Sequence, residues 1–548
     1  MSISAVEPLR VPQFRALWIA SVVSNIGSFL QSVAAGWLML ELTGSTLWVA
    51  AMSSATTLPL LFLALHAGAL ADVLDRRKLL LAAQTVMGIA ALSMAVLNLL
   101  GLLEAPSLLA LGLLLGTGMA FNLPAWQAMV PDLVPRGMVA SAVALNSVAF
   151  NVARAVGPAL GGLVVALWGP SAAFGINALS YLGIIGVILS LGGAFRAGET
   201  ASVSSAVGAG LRFARYTPVF RTLLLIAAGF AVTSAPIQAI LPNFTSDVLG
   251  GSEVMYGALL GAMGVGALIG AFTRPRVGGA LAGRMVPLSM VGFSLSGVGV
   301  GIARTPAQAG MAMAVSGLFW VWTLATLNAT VQLLAPPWVR GRAMSLYMLS
   351  FTGILPLGAL LAGVIGLTIG PAATIAWMSG AGLLIALAAT RLRLPSLAEV
   401  AEIEHQGDFT PTPHPVAVSG TPVLVVNTWV IADEDLEPFL ATMNELRLVR
   451  LRTGALRWRL YRNVDDVHRM SELMVLGSWE QHLAQHNRLD AAATELIYRA
   501  RAFDTAEGPV TIHLAGVDVT HLDDLPDWEA LTPLVDGARD RSGKRETQ

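Results

Sequence analysis

Cysteine is absent from this 548-residue chain. That excludes disulfides, thiolate-bound zinc, iron–sulfur clusters and thiol catalysis. Charge is scarce as well: Asp, Glu, Lys and Arg make up 12% of the residues, where a soluble domain carries about a quarter. No Walker A loop for cradling phosphates occurs, which argues against an ATP-driven pump. No basic stripe of the kind that tracks nucleic acid is present either. No acid lies well inside an apolar run, because Glu41, Asp72, Asp132, Asp247 and Glu253 all stand near the ends of runs. Proton carriers in membranes normally use an embedded acid or histidine, so no coupling ion is assigned. His66, near the end of the second run, is expected to make a structural hydrogen bond.

What the chain has in abundance is apolar length. Hydrophobic residues make up 55%, and the mean hydropathy is +0.68. Runs of about 20 apolar residues span a bilayer as helices. Such runs fall near 16–40, 47–70, 79–101, 106–130, 138–167, 171–193, 220–244, 255–273, 286–303, 306–334, 343–368 and 371–391. Twelve spans are therefore expected, with eleven or thirteen left open by the short Ile369-Gly370 separation of the last two. Arg10 and Arg15 precede the first run like a signal-peptide start, but the many later runs make it an uncleaved span.

The net charge of −1 hides two opposite parts. Residues 1–395 hold 19 Lys/Arg and 9 Asp/Glu, whereas 396–548 hold 14 and 25. Loop charge orients the spans. One side carries Arg10, Arg15, Arg76, Arg77, Lys78, Arg136, Arg196, Arg212, Arg215, Arg221, Arg274, Arg276, Arg284, Arg340, Arg342, Arg391 and Arg393, and the other only Arg304. This places both termini in the cytoplasm and the chain, multi-pass, in the inner membrane. Trp37, Trp48, Trp168 and Tyr256 lie near the opposite ends, as an interfacial belt would.

The runs divide into two groups of six. Asn122–Arg136 and Asn328–Arg342 echo each other, each running Asn, Gln, a Pro-containing turn and Arg. Such a repeat places a substrate path between the halves. The expected organisation is a six-helix bundle at 1–193, a cytoplasmic loop at 194–219 and a second bundle at 220–394. A linker follows at 395–420, then a small domain at 421–516 and a polar tail at 517–548. Leu211–Tyr216 reads as a short amphipathic surface helix.

Two motifs and a set of amides are the candidate functional residues. Gly68, Asp72, Arg76 and Arg77 surround the loop after the second run and are expected to form a cytoplasmic gate. In the fifth run, Arg154, Gly157, Pro158, Gly161 and Gly162 combine a buried charge, a kink and a close-packing face. Arg154, the one clear charge within a span, either binds an anionic group or bonds to carbonyls of a neighbouring helix. Asn25, Gln31, Asn122, Asn146, Asn151, Gln238, Asn328 and Gln332 are candidates to line an uncharged polar cavity, or alternatively to bond between helices. Trp320 and Trp322 either stack on a planar substrate or pack in the core.

The Gly68–Arg77 segment resembles the inner-loop signature of the major facilitator superfamily, with Val73 and Asp75 departing from it. Phe14–Trp18, Trp37–Ser45, Pro124–Gln127, Ala144–Ser147, Asn151–Pro158 and Trp338–Ala343 are together similar to its MFS_3 subgroup, the enterobactin-exporter-like transmembrane secretion effectors. The resemblance implies an all-α, twelve-helix 6+6 fold and efflux of a drug, siderophore or other small amphipathic molecule by alternating access. No cofactor and no metal are expected, and the expected partners of the membrane part are a small-molecule substrate and the lipid bilayer, with no nucleic acid.

The tail is expected to be α+β. Strands at Val423–Trp429, Ala455–Tyr461, Met470–Leu476 and Val510–Leu514 flank helices at Glu434–Arg450 and Trp479–Arg501, the β-α-β-β-α-β order of ferredoxin-like domains. Trp479–His486 resembles a segment of antibiotic-biosynthesis-monooxygenase-like domains, which implies a homodimer through this domain. His482 and His486 share a helix face, and the reading favoured is a surface pair rather than a metal site. The competing readings of the whole chain are an importer and a membrane-anchored oxygenase, but twelve spans exceed what an anchor needs.

Overall fold

A computed structural model describes residues 6–73, 75–129, 133–190, 203–278, 284–336, 338–390, 421–506 and 508–516. The expected linker at 395–420 and tail at 517–548 lie outside the described residues. The chain divides into two compact units. One comprises 1–206, 219–334 and 341–394, and the other 207–218, 335–340 and 395–548.

The first unit is helical throughout. Its elements are α1 (Pro12–Thr43), α2 (Thr46–Ala55), α3 (Leu58–Val73), α4 (Arg76–Leu99), α5 (Ala105–Met129) and α6 (Val139–Ser190). After α7 (Val203–Tyr216), which belongs to the other unit from residue 207 on, come α8 (Pro218–Ser234), α9 (Pro236–Ala239), α10 (Leu241–Asp247), α11 (Glu253–Gly278) and α12 (Met285–Ile302). The series closes with α13 (Pro306–Leu334), α14 (Arg340–Met348) and α15 (Leu355–Ala389). Only helices satisfy every backbone group within one apolar segment, so this is what hydrocarbon solvent demands of such runs. Phe62, Phe272 and Trp377 are 67%, 71% and 74% exposed, an outward apolar surface suited to lipid rather than water.

Among the described residues, nine helical stretches are long and apolar enough to cross a membrane. That is fewer than the twelve apolar runs of the sequence, for a local reason. Helix α6 takes in two runs across Gly169 (φ 76°), and α15 takes in two across Gly370 (φ 79°). Each of these glycines precedes a proline. Left-handed backbone is nearly free for glycine, and proline cannot continue the hydrogen-bond ladder, so each pair ends one helix and starts the next. The second run is broken between α2 and α3, and the seventh among α8, α9 and α10. A π-helical turn at Leu349–Gly353 separates α14 from α15.

Two groups of helices result. Helices α1 to α6 pack on one another, and α8 to α15 do likewise; α6 against α11 and α2 against α15 join the groups. At the end holding the basic loops, Phe14, Leu17, Leu80, Met129, Ile184 and Ile188 form one core cluster of the first group. Arg77 donates to the carbonyls of Ile188 (3.0 Å) and Leu189 (2.7 Å). It thereby caps the unsatisfied C-terminus of α6, while Asp75 caps the start of α4 through the Arg77 amide at 2.9 Å.

The second unit holds a four-stranded antiparallel sheet in the order β2-β3-β1-β4, with β1 Val423–Val430, β2 Arg457–Arg462, β3 Arg469–Leu476 and β4 Val510–Ala515. Helices α16 (Leu436–Thr453), α17 (Trp479–His486) and α18 (Ala491–Ala502) accompany it. Alternating burial along β1 seats Trp429 on Phe439 of α16, ring centroids 5.7 Å apart. Glu472 is fully buried but satisfied: it accepts from Arg450 (3.1 Å), Asn427 (2.7 Å) and Trp458 (2.9 Å). Buried charge is tolerated when it is paired in this way.

Candidate functional site: a cavity between the two helix groups

A cavity of about 240 Å³ lies between the groups. Ser28, Gln31, Ser32, Arg154, Asn177 and Tyr181 line it from the first group; Gln238, Tyr256 and Met263 do so from the second. Met52, Met94 and Met119 supply adaptable apolar wall. The space approaches the range of small-molecule pockets, roughly 300–1,000 Å³.

Close backbone contact seals the cavity at the end opposite the basic loops. A Cβ on Gly162 of α6 would stand 2.5 Å from the Glu253 carbonyl oxygen and 3.2 Å from the Gly257 Cα of α11. One on Gly257 would stand 2.5 Å from the Pro158 carbonyl oxygen. Only glycine permits this approach. The parallel seam joins α2 to α15: Thr46 donates to the Gly363 carbonyl at 2.9 Å, and Ser54 to that of Pro356 at 3.1 Å. Towards the basic end, α3 and α14, and likewise α5 and α13, make no comparable contact among the described residues.

Arg154 points into this cavity, as one of its lining residues. Its guanidinium lies 5.5 Å from the Trp320 ring centroid. Trp320 in turn packs with Phe230, Phe293 and Phe351 at 5.6–5.8 Å. Gln31 accepts from Asn177 and donates to the Met94 sulfur at 3.3 Å. The polar wall is thus pre-oriented by its own bonds.

The structure sorts the residues singled out in the sequence. Gln31, Arg154, Pro158 and Gln238 line the cavity. Gly157 and Gly161 pack instead on α1, against Phe29 and Leu30. Asn122 is engaged by Gln84 (2.9 Å), Asn151 donates to the Ser147 carbonyl (2.8 Å), and Asn328 accepts from Gln332 (2.6 Å). Asn25 and Asn146 are half-buried and stand apart from the lining residues. Trp322 donates to the Gly270 carbonyl at 2.9 Å, a bond between neighbouring helices. In the gate motif, Arg77 caps α6 within the first group, whereas the side chain of Asp72 and the surroundings of Gly68 fall outside what is described. Sequence reasoning missed Ser28, Ser32 and Tyr181; the signal is helical spacing, with Ser28 three residues before Gln31 and four before Ser32, and Tyr181 four after Asn177.

In the second unit, His482 is buried, and its Nε2 stands 3.1 Å from His513 Nε2 and 3.3 Å from His486 Nε2. The pair expected at the surface is therefore part of an interior contact, because β4 brings in His513 from outside the helix. Burial, then the charges of Arg450 and His513, push the His486 pKa down. Among the described residues, no group of three or more His, Asp or Glu side chains has a metal-holding arrangement.

The family model described as transmembrane secretion effector, MFS_3, matches residues 3–518. The multidrug efflux pump Tap of Mycolicibacterium fortuitum is 28% identical over 403 residues, which is 70% of this chain and 95% of that protein. The staphyloferrin A transporter of Staphylococcus aureus is 24% identical, over 63% and 87%. The enterobactin exporter EntS of Shigella boydii is 29% identical, over 68% and 90%. Among solved structures, an inward-facing, unoccupied bacterial homologue of the human lysosomal transporter Spinster aligns with a TM-score of 0.53 at 15% identity, over 72% of this chain and 95% of that one. The nucleoside transporter NupG aligns at 0.56 and 15%, over 69% and 99%. With the two helix groups and the cavity between them, these matches settle the affiliation: the chain belongs to the transmembrane secretion effector family, MFS_3, of the major facilitator transporters, and it is a transporter rather than an enzyme.

Proposed function

We propose that the chain is a secondary-active exporter of small amphipathic molecules, a drug, siderophore or metabolite, working by alternating access. The cavity carries this reading: both helix groups contribute to it, and glycine seams close it at one end only. Rocking of α1–α6 against α8–α15 would open that end while closing the other. In this reading the membrane is crossed twelve times, in two sets of six. The Gly-Pro breaks at Gly169 and Gly370 support that count, since each falls between the fifth and sixth members of its set. The 17-to-1 distribution of loop Lys/Arg supports a cytoplasmic position for the basic end and both termini. The state described is then inward-facing.

Gly68, Asp72, Arg76 and Arg77 form the cytoplasmic gate in this account, and Asp72→Asn should alter cysteine-probe accessibility at that face. The strand order β2-β3-β1-β4 supports a ferredoxin-like reading of the second unit, with a sensing or dimer-forming role. An efflux-deficient bacterial host expressing the chain should tolerate at least one drug or siderophore better than the empty host. It should keep most of that gain when 396–548 are deleted. No gain across a broad panel would count against export, and complete loss on deletion would favour a tail-borne activity.

A further inference from the structure

We propose that Arg154 binds an acidic group of the cargo and that the inside-negative membrane potential, acting on that charge, drives export. The inference rests on the exporter reading and adds a substrate class and an energy source.

Among the described residues, Arg154 is the one formally charged residue lining the cavity. The other titratable lining groups are the phenols of Tyr181 and Tyr256, ordinarily neutral near pH 7. No carboxylate or imidazole lines it among the described residues. Arg154 makes no ion pair or hydrogen bond among them either, and its guanidinium nitrogens are not sealed. Its one contact of this kind is the Trp320 face, 5.5 Å away. A structural arginine at this depth would spend its donors on carbonyls, as Arg77 does on Ile188 and Leu189. Arg154 instead presents a free planar fork, the shape that pairs bidentately with a carboxylate, sulfonate or phosphate. A cationic cargo would meet the same charge with no acid to offset it.

The cargo's charge fixes the energetics of the cycle, because the charge of the carrier cancels over a complete turn. A monoanion bound at Arg154 makes a neutral pair for the outward step. The empty carrier then returns with its positive charge moving towards the negative cytoplasm. Each cycle therefore moves one negative charge outward, and no titrating group in the cavity is required. A potential of 100 mV acting on one charge corresponds to roughly a 50-fold concentration ratio, about 2.3 kcal/mol at about 1.4 kcal/mol per tenfold.

The test uses the purified full-length protein in liposomes, with naphthalene-1-sulfonate as the anionic probe and 1-naphthylmethylammonium as the cationic one. A potassium diffusion potential is set with valinomycin. At zero potential the protein should equilibrate the anion across the membrane, and at 100 mV it should concentrate it roughly 50-fold on the positive side. Arg154→Gln should abolish the preference for the anion over the cation; any anion movement that remains keeps the same bias, because over a complete cycle the charge carried is the cargo's. Arg154→Lys keeps the charge and loses the fork, so it should weaken binding while retaining the preference for the anion; it serves if the glutamine variant misfolds. Protein-dependent equilibration that ignores potential, or that favours the cation, overturns the inference while leaving export standing. No protein-dependent movement of either probe overturns both.

Discussion

Gly162 is the position where the transport cycle is most exposed to a single methyl group. A Cβ there would meet the Glu253 carbonyl oxygen at 2.5 Å and the Val254 Cα at 3.1 Å, both backbone. Backbone cannot rotate away as a side chain can, so Gly162→Ala forces α6 and α11 apart at the sealed end. Overpacking of this kind costs about 1–3 kcal/mol. At about 1.4 kcal/mol per tenfold, that moves the sealed-to-open ratio by a factor of roughly 5 to 150. The cysteine-free chain suits spin labelling. Labels at Leu102→Cys and Ile302→Cys, both 63% exposed, report separation across the sealed end by double electron–electron resonance. Gly162→Ala should shift the distribution to longer distances and slow transport. Gly175→Ala in the same helix, where a Cβ meets nothing within 4 Å, should leave it in place. An unchanged distribution in Gly162→Ala would refute the glycine-seam account of closure.

The second seam offers a milder perturbation. Thr46→Val removes the 2.9 Å bond to Gly363 and should weaken closure by about 1 kcal/mol, seen as a smaller shift in the same distance measurement. Arg77→Met uncaps α6 and should lower the unfolding temperature in detergent, by the roughly 1.5–3 kcal/mol typical of bonds to a charged group. Glu472→Gln leaves Arg450 as a buried charge without its ion pair and should destabilise the second unit by about 3–5 kcal/mol, measured by hydrogen exchange over β1 and β3. The His486 pKa lies below the ordinary value of about 6.5. The unfolded form therefore binds the proton first as pH falls. The second unit should keep its full stability above pH ~6.5 and lose it as pH drops below. Hydrogen exchange of Trp479–His486 should quicken in that window, and His486→Gln should flatten the dependence.

Much of the membrane unit was legible because a bilayer reduces the problem to apolar length. The run expected at 306–334 is α13, Pro306–Leu334, and the break at Gly370 falls at the Ile369-Gly370 separation between the last two runs. The breaks before Leu58 and within 234–241 were not legible, because their residues are as apolar as their surroundings and tertiary packing decides them. The cavity was less legible for a related reason. An amide in a span satisfies itself with whatever lies nearest, and the partners of Asn122 and Asn328 turned out to be neighbouring glutamines. Hydropathy does not distinguish that outcome from a free amide facing a cavity. The contact of His482 with His513 was hidden because a sheet brings together residues 31 positions apart.

The central claim is that one cavity faces the two sides of the membrane in turn. Ser32→Cys places a lone thiol on its wall, free of any native cysteine background. A membrane-impermeant maleimide should reach it from the basic end in the unmodified background, and from the opposite end once Gly162→Ala is added. Labelling from both ends at once in a single state, or from neither end in both backgrounds, would contradict the account.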